Sequence, residues 1–355
     1  MSDATSFLRL PIEDLDFVID AVGPRWEHLR GQRLLLTGGT GFIGKWLLAT
    51  FLHANRRQGL GARVVVLSRS PDSFLKEFVE LRDAAEIEWL TGDVRELAPE
   101  AATDCAYAIH AATDVVATCT PDEIFETCEI GTRRVLDAMS TGSAARRVLL
   151  LSSGAVYGRT PPESKVIPES WPGAPDPLSP ASAYGEGKRA SELLCAMAAA
   201  KRPGLEVSIA RCFAFVGPYL PLDKHFAIGN FINAAIRGED ILIQGDGTPL
   251  RSYLYAADLA HWLWVLLFDA CNARAYNVGG AEILSIGALA HRVNRVLGGT
   301  GSICIAQTPP RAGTAPQSYV PSIERIADEL GLAPSVSLDQ AILRTARWAG
   351  YYFPE

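Results

Sequence analysis

Surplus positive charge is the first thing this chain lacks. Its 33 Lys and Arg stand against 40 Asp and Glu, a formal net charge of -7. It therefore carries no general phosphate-attracting field, and nucleic acid is not an expected partner. An anionic small substrate would need a local cluster of arginines instead. Long apolar runs are missing too. The most apolar later stretch, Leu259 to Phe268, contains His261 and is too short to span a bilayer. Met1 to Asp20 has no basic segment followed by an apolar one, so no secretory signal is expected. Cysteines are present but unpaired in spacing: Cys105, Cys119, Cys128, Cys195, Cys212, Cys271 and Cys304 form no C-x-x-C and are odd in number. That pattern argues against a disulfide framework or a metal site and predicts reduced, mostly buried thiols in a cytoplasmic protein. No internal repeat or low-complexity tail is visible.

What is present is an ordinary globular composition, 48% hydrophobic and 21% charged over 355 residues. That length supports two cores, or one large α/β core with an appended lobe. Short apolar runs at Arg33–Thr37, Arg63–Leu67, Ile87–Leu90, Ala106–His110, Arg147–Ser152 and Glu206–Arg211 read as strands. Helical spacing over Phe42–Ala54, Pro71–Leu81, Pro121–Met139 and from Tyr184 onward separates most of them. The alternation predicts an α/β fold, a doubly wound parallel sheet with right-handed crossovers. Ligands of such sheets bind outside the carboxyl ends of the strands. Residues 1–30 read as a helical preamble interrupted at Gly23-Pro24. A loop with seven prolines runs from Gly158 to Pro180 and is expected to reach over the site or lead to it.

Thr37-Gly38-Gly39-Thr40-Gly41-Phe42-Ile43-Gly44 lies between the first strand and the first helix. Glycine is required where a turn needs positive φ or where a Cβ would block a pyrophosphate, and the helix N-terminus offers N–H groups to phosphate. Strand before, helix after and an apolar second strand together predict a dinucleotide site at Gly38, Gly41 and Gly44. At the end of the second strand, where NAD sites usually carry a carboxylate, stand Ser68 and Arg69. A guanidinium flanked by hydroxyls suits a 2′-phosphate, so NADP is expected, with NAD possible. Asp93, after the third strand, is a candidate for the adenine amino group.

Tyr184-Gly185-Glu186-Gly187-Lys188 places Tyr184 and Lys188 four apart, on one helix face. Free tyrosine titrates at about 10, so it is a poor base at neutral pH. A nearby ammonium favours phenolate and brings the group towards general acid–base work at a carbinol. Ser153, after the fifth strand, can share that proton; Ser152 is expected to turn its hydroxyl to the backbone.

These motifs, with His110-Ala111-Ala112, resemble an extended short-chain dehydrogenase/reductase, and more narrowly the NAD-dependent epimerase/dehydratase family acting on nucleotide sugars. Similarity runs from about residue 31 to the end. It implies a Rossmann-type domain over 31–216 after the 1–30 extension. A substrate-binding lobe would then occupy mainly 217–355, with segments around 250–270 returning to the first domain. Phe42, Ile43, Val94, Ala111, Ala112 and Thr113 join the implied cofactor-binding set. Arg211-Cys212-Phe213-Ala214-Phe215-Val216-Gly217-Pro218 resembles the family segment leading into the lobe. Arg251, in Gly245-Asp246-Gly247-Thr248-Pro249-Leu250-Arg251, and Arg311 resemble arginines that grip a nucleotide diphosphate. The resemblance also implies a homodimer, for which the Ala-rich helix Ser191–Ala200 is a candidate face.

Three departures narrow the reaction. Ala214 and Cys128 stand where many relatives carry asparagine. Gly154 and Ala155 occupy the places of the Asp-Glu pair with which 4,6-dehydratases expel water. The expected activity is therefore C4 oxidation and reduction on a nucleotide-linked hexose, first as a 4-epimerase. The alternative is an NADPH-dependent 4-keto-sugar reductase; a dehydratase or a non-catalytic NADP(H) sensor ranks behind both.

Overall fold

The computed structural model describes residues 7–113, 119–140, 146–160, 164–224, 226–308 and 316–351. The chain divides into two compact units. One holds Met1–Gly158, Ala174–Arg211 and Ala260–Tyr276; the other holds Arg159–Gly173, Cys212–Leu259 and Asn277–Glu355.

The strands in chain order are β1 (Arg33–Thr37), β2 (Arg63–Ser68), β3 (Ile87–Thr91), β4 (Cys105–His110), β5 (Arg146–Ser153), β6 (Leu205–Cys212) and β7 (Phe215–Val216). They continue with β8 (Ile241–Ile243), β9 (Leu250–Arg251), β10 (Leu254–Tyr255), β11 (Arg274–Val278), β12 (Leu284–Ser285), β13 (Ile303–Ile305) and β14 (Ser318–Tyr319). The α-helices are α1 (Ile12–Val22), α2 (Phe42–Gln58), α3 (Pro71–Glu77), α4 (Pro121–Ala138), α5 (Ala183–Lys201), α6 (Ala227–Arg237), α7 (Ala256–Asp269), α8 (Ile286–Leu297), α9 (Glu324–Leu330) and α10 (Leu338–Trp348).

A seven-stranded sheet in the order β11-β6-β5-β4-β1-β2-β3 organises the first unit, and β1–β2, β2–β3, β1–β4 and β4–β5 all pair in parallel. This is the doubly wound, Rossmann-like arrangement that the alternation predicts. Strands β1 and β2 are apolar along nearly their whole length because helices cover both faces of such a sheet. On one face Leu35, Val65, Ala108, Val148 and Val207 form a core with Val135 and Leu136 of α4 and Cys195 and Ala198 of α5. Helix α4 opens with a capping box, Thr120 with Glu123, and with Pro121 in its first turn. That packing sets α5 against the carboxyl end of β5.

Several boundaries differ from the sequence pattern, α2 running on to Gln58 rather than Ala54 among them. The helix expected over Pro71–Leu81 stops at Glu77, where Phe78 (φ -122°, ψ 68°) leaves the helical backbone, and resumes as a 3-10 turn at Val79–Leu81. Leaving the helix lets the Phe78 ring bury itself 4.7 Å from Phe74. Strand β5 runs one residue further than expected and ends on Ser153 itself.

The preamble joins the first unit. Trp26 is fully buried, with its ring 4.8 Å from Trp264 and 6.1 Å from Phe268, and its Nε1 donates to Ile19 O at 3.2 Å. Truncating a buried ring of this kind costs about 3–5 kcal/mol, enough to tether residues that local helix propensity alone would leave marginal. The part of the chain that returns to this unit late is Ala260–Tyr276, somewhat beyond the expected 250–270.

In the second unit, β12-β9-β14 form a three-stranded sheet, and α6 and α10 pack on α8. The proline-rich loop contributes to this unit over Arg159–Gly173. Ile167 bridges Pro321, donates its N–H to Val320 O at 2.8 Å, and lends its carbonyl to Ser322 N and Asn277 Nδ2. The expected continuous first domain over 31–216 is thus interrupted there, because these backbone groups find their partners in the second unit.

Candidate active site

Chain direction across the sheet reverses between β1 and β4, whose last residues, Thr37 and His110, lie in register. Thr37 is fully buried, and its hydroxyl accepts from the backbone N–H groups of Ala111 and Ala112, both at 3.2 Å. The same oxygen meets His110 Nδ1 at 2.8 Å. With two N–H donors already on the oxygen, its proton goes to Nδ1, which assigns His110 the neutral Nε2–H tautomer. Burial, and secondarily the charge of Lys188, hold the His110 pKa down at about 3.

The glycine turn follows β1 directly. Gly38 has φ +72°, and a Cβ there would lie 2.6 Å from Ala111 O. A Cβ on Gly44 would lie 2.1 Å from Gly38 O. Gly41 caps α2 without any side-chain hydrogen bond to the first turn, so those N–H groups and the positive helix end face outward for an anion. This cradle, closed to a Cβ at Gly38 and Gly44 and lying at the carboxyl end of β1, fits the pyrophosphate of a dinucleotide. Phe42 and Ile43 are half-buried in the first turn of α2.

At the other end of that site, Ser68 is buried at the tip of β2 and its Oγ accepts from Ser70 N at 3.3 Å, while Arg69 is exposed. Asp93 is more committed than its sequence position suggested. Arg95 grips its carboxylate with Nε and Nη2, each at 3.0 Å, and holds its pKa below the usual range, with Arg69 adding a weaker pull. Val94 buries its side chain beneath α4, where a Cβ on Gly131 would sit 2.8 Å from Val94 Cγ1.

Helix α5 carries Tyr184 in its first turn and Lys188 one turn later. Lys188 is 3% exposed; its Nζ donates to Leu151 O at 2.7 Å and Thr113 Oγ1 at 2.8 Å, and lies 6.0 Å from the Tyr184 ring centroid. Ser153, buried at the end of β5, accepts from Ala155 N at 3.1 Å, and the 3-10 turn Gly154–Tyr157 starts there. Gly185 lets α5 approach that turn, since a Cβ would meet Ala155 O at 2.8 Å. The fold thus gathers Ser153, Tyr184, Lys188, Thr113, Ala111 and Ala112 at the carboxyl ends of β4 and β5.

Ser152 does not turn to the backbone. Its Oγ donates to Glu192 Oε1 at 2.5 Å, and Glu192 in turn pairs with Arg211 at 2.6 Å, whose Nη1 donates to Tyr157 Oη at 2.8 Å. The reason is geometric: Glu192 is one turn beyond Lys188 on the same face of α5, so it meets the residue after Leu151. This brace, the Thr37 stitch and Arg95 were not anticipated. The spacing Tyr184, Lys188, Glu192 was the available signal for the first of them. Glu186 turns elsewhere and pairs with Arg189 at 3.6 Å.

Arg251 lies on the middle strand of the second unit's three-stranded sheet, with its guanidinium 5.5 Å from the centroid of the Tyr319 ring. Arg311 lies outside the described residues. Along α5, Leu193 and Met197 are 62% and 42% exposed, whereas Leu194 packs against the core. Among the described residues no group of His, Cys, Asp and Glu is arranged to hold a metal ion, and no helix is long and apolar enough to cross a membrane.

Comparison with known proteins identifies the family and several relatives of this chain. A family model described as NAD dependent epimerase/dehydratase family matches residues 34–279. UDP-glucuronic acid decarboxylase 1 of Xenopus tropicalis is 28% identical over 317 residues, 89% of this chain and 72% of that protein. The solved structure of MoeE5 in complex with UDP-glucuronic acid and NAD has a TM-score of 0.70 at 25% identity, covering 90% of this chain and 99% of that one. UDP-glucose 4-epimerase of Thermotoga maritima, solved with UDP-glucose, has a TM-score of 0.72 at 21% identity, covering 90% and 99%.

The His110 environment has a consequence for stability. Its folded pKa, about 3, lies below the ordinary 6.5, so the unfolded chain takes up the proton first as pH falls. The stability it contributes is complete above 6.5 and is lost on acidification towards 3, at about 1.4 kcal/mol per pH unit. His110→Gln, which cannot titrate, is expected to show a correspondingly flatter decline in urea-unfolding free energy below that pH. Equal slopes for the two proteins would contradict an uncharged buried imidazole.

Proposed function

This chain belongs to the NAD-dependent epimerase/dehydratase family, and on that premise we propose that it oxidises and re-reduces C4 of a nucleotide-linked hexose, as a 4-epimerase. One observation narrows the choice, by setting dehydration aside. Gly154 and Ala155 follow Ser153 where water elimination needs an acid and a base, and neither can transfer a proton. Redox chemistry at a single carbinol needs, besides a hydride acceptor, a proton acceptor, a hydroxyl partner and a cation, for which α5 and β5 carry candidates.

In this reading Tyr184 Oη takes the proton of the C4 hydroxyl. Ser153 Oγ bonds the same oxygen and shares that proton, while the Lys188 ammonium stabilises the phenolate. A nicotinamide dinucleotide held at Gly38, Gly41 and Gly44 supplies the hydride acceptor and donor. The 4-keto sugar then presents its other face before reduction, and Tyr184 returns the proton. We assign NADP from Ser68 and Arg69, whose hydroxyl and guanidinium match a 2′-phosphate where a carboxylate would repel it. Arg251 and Arg311 are assigned to the substrate diphosphate, which a protein of net charge -7 has to recognise through local arginines.

The decarboxylases among the relatives favour a second reading. On a nucleotide-linked uronic acid, C4 oxidation places a carbonyl β to the C6 carboxylate, and such a keto acid loses CO2 without any acid or base at 154 and 155.

A panel of UDP-, dTDP-, CDP- and GDP-sugars with their 4-keto derivatives, run with and without NADPH, separates the readings. The expected result is inversion at C4 without net NADPH consumption. Release of CO2 from a uronic acid would select the second reading, and stoichiometric loss of NADPH would select a 4-keto-sugar reductase. Tyr184→Phe is expected to lower kcat by about 10²–10⁴-fold, and Arg251→Ala to raise KM with kcat nearly kept; a fully active Tyr184→Phe enzyme would refute the mechanism. In binding titrations NADP should bind more tightly than NAD, with Arg69→Ala abolishing the difference. Equal affinities in the unmodified chain would remove the NADP assignment.

A further inference from the structure

Among the described residues, the buried Lys188 Nζ donates to two oxygen acceptors of different kinds. Leu151 O, at 2.7 Å, is a backbone carbonyl and is present whatever the side chain. Thr113 Oγ1, at 2.8 Å, is a side chain from the segment after β4 and exists only because residue 113 bears a hydroxyl. Thr113 sends its own proton to Ala112 O at 2.8 Å, which leaves its oxygen lone pairs for Lys188, a group that can only donate.

The other groups facing this lysine define its electrostatics. From α5 these are Tyr184, with the ring centroid 6.0 Å from Nζ, Cys195, whose thiol is pushed up by burial, and Glu192, which is tied to Arg211 and Ser152. From β4 comes His110, uncharged at neutral pH. From α4 comes Cys128, whose Sγ lies 3.9 Å from Thr113 Oγ1. Cys128 reaches this point because Gly187 has no Cβ, which would sit 2.9 Å from Cys128 Cβ.

We propose that Thr113 is a positioning residue for proton transfer: its Oγ1 holds the Lys188 ammonium beside Tyr184 and thereby sets the pH at which Tyr184 gives up its proton. The role goes beyond the cofactor contact that the sequence motif implies, and it rests on the reading of Tyr184 as the general base. Losing the hydroxyl removes an acceptor that favours charged lysine and frees the ammonium to swing away. Both effects disfavour phenolate, so the sign is fixed: the Tyr184 midpoint must rise.

The test reads Tyr184 directly and needs no sugar substrate. The full chain, saturated with NAD+ and separately with NADP+, is titrated from about pH 5 to about pH 10 by its ultraviolet phenolate band, spanning the range below the free tyrosine value. Subtraction of the Tyr184→Phe titration isolates the residue. Thr113→Val, nearly isosteric, is expected to raise the midpoint by about one pH unit, and Thr113→Ser to restore it. An unchanged midpoint in Thr113→Val would overturn the proposal. So would a shift in Thr113→Ser as large as in Thr113→Val, because packing rather than the hydroxyl would then be responsible. If the unmodified chain shows no Tyr184 ionisation below about pH 10, the general-base reading itself fails and the proposal falls with it.

Discussion

Lys188 places its amine at 3% exposure, and removing an ammonium from water costs several kcal/mol unless protein oxygens replace its hydration. Much of the site's arrangement answers that requirement. The end of β5 has to offer a carbonyl, Leu151 O, and the segment after β4 has to offer a hydroxyl, Thr113 Oγ1. Helix α5 has to approach both, which Gly185 and Gly187 permit by leaving out a Cβ where Ala155 O and Cys128 already stand. The same charge, added to burial, keeps His110 neutral, so a second cation does not compete for the space. Tyr184 is then placed by helix geometry, one turn before the lysine, with its ring centroid 6.0 Å from Nζ.

The cofactor end obeys a different constraint, closeness of backbones rather than satisfaction of a charge. Thr37 ties the ends of β1 and β4 together through Ala111 and Ala112, and Gly38 passes so near Ala111 O that no side chain fits between them. The outcome is an anion cradle at the carboxyl edge of the sheet that also carries Ser153. The two residues after Ser153 narrow the chemistry as much as Ser153 itself does. Gly154 and Ala155 shape a 3-10 turn but contribute no titratable group.

The sheet was legible because fully covered parallel strands read as apolar runs, and Leu34 to Leu36 and Val64 to Val66 could hardly be anything else. The glycine turn and the Tyr184–Lys188 pair were legible for the same reason: backbone space and helical spacing are written in local sequence. The contacts that escaped were long-range. Ser152 meets Glu192 forty residues away, and Glu192 meets Arg211, contacts that no local pattern announces. Asp93 looked available for adenine because the competing Arg95, two residues on, takes its carboxylate only through a side-chain conformation. The break in the first domain at Arg159–Gly173 depends on Ile167 finding Val320 and Ser322, again a partner remote in sequence. Phe78 ended a helix by the pull of a buried ring, a tertiary effect that outweighs a periodic pattern.

The central claim is that Tyr184, Ser153 and Lys188 serve oxidation and reduction at one sugar carbon with no elimination of water. Following deuterium placed at C4 of the nucleotide hexose that turns over, by mass spectrometry and NMR of the product, tests it most directly. The account predicts deuterium still on C4 after inversion and no solvent hydrogen entering the carbon skeleton. Deuterium recovered at C6 of a dehydrated product, or solvent hydrogen at C5, would contradict it.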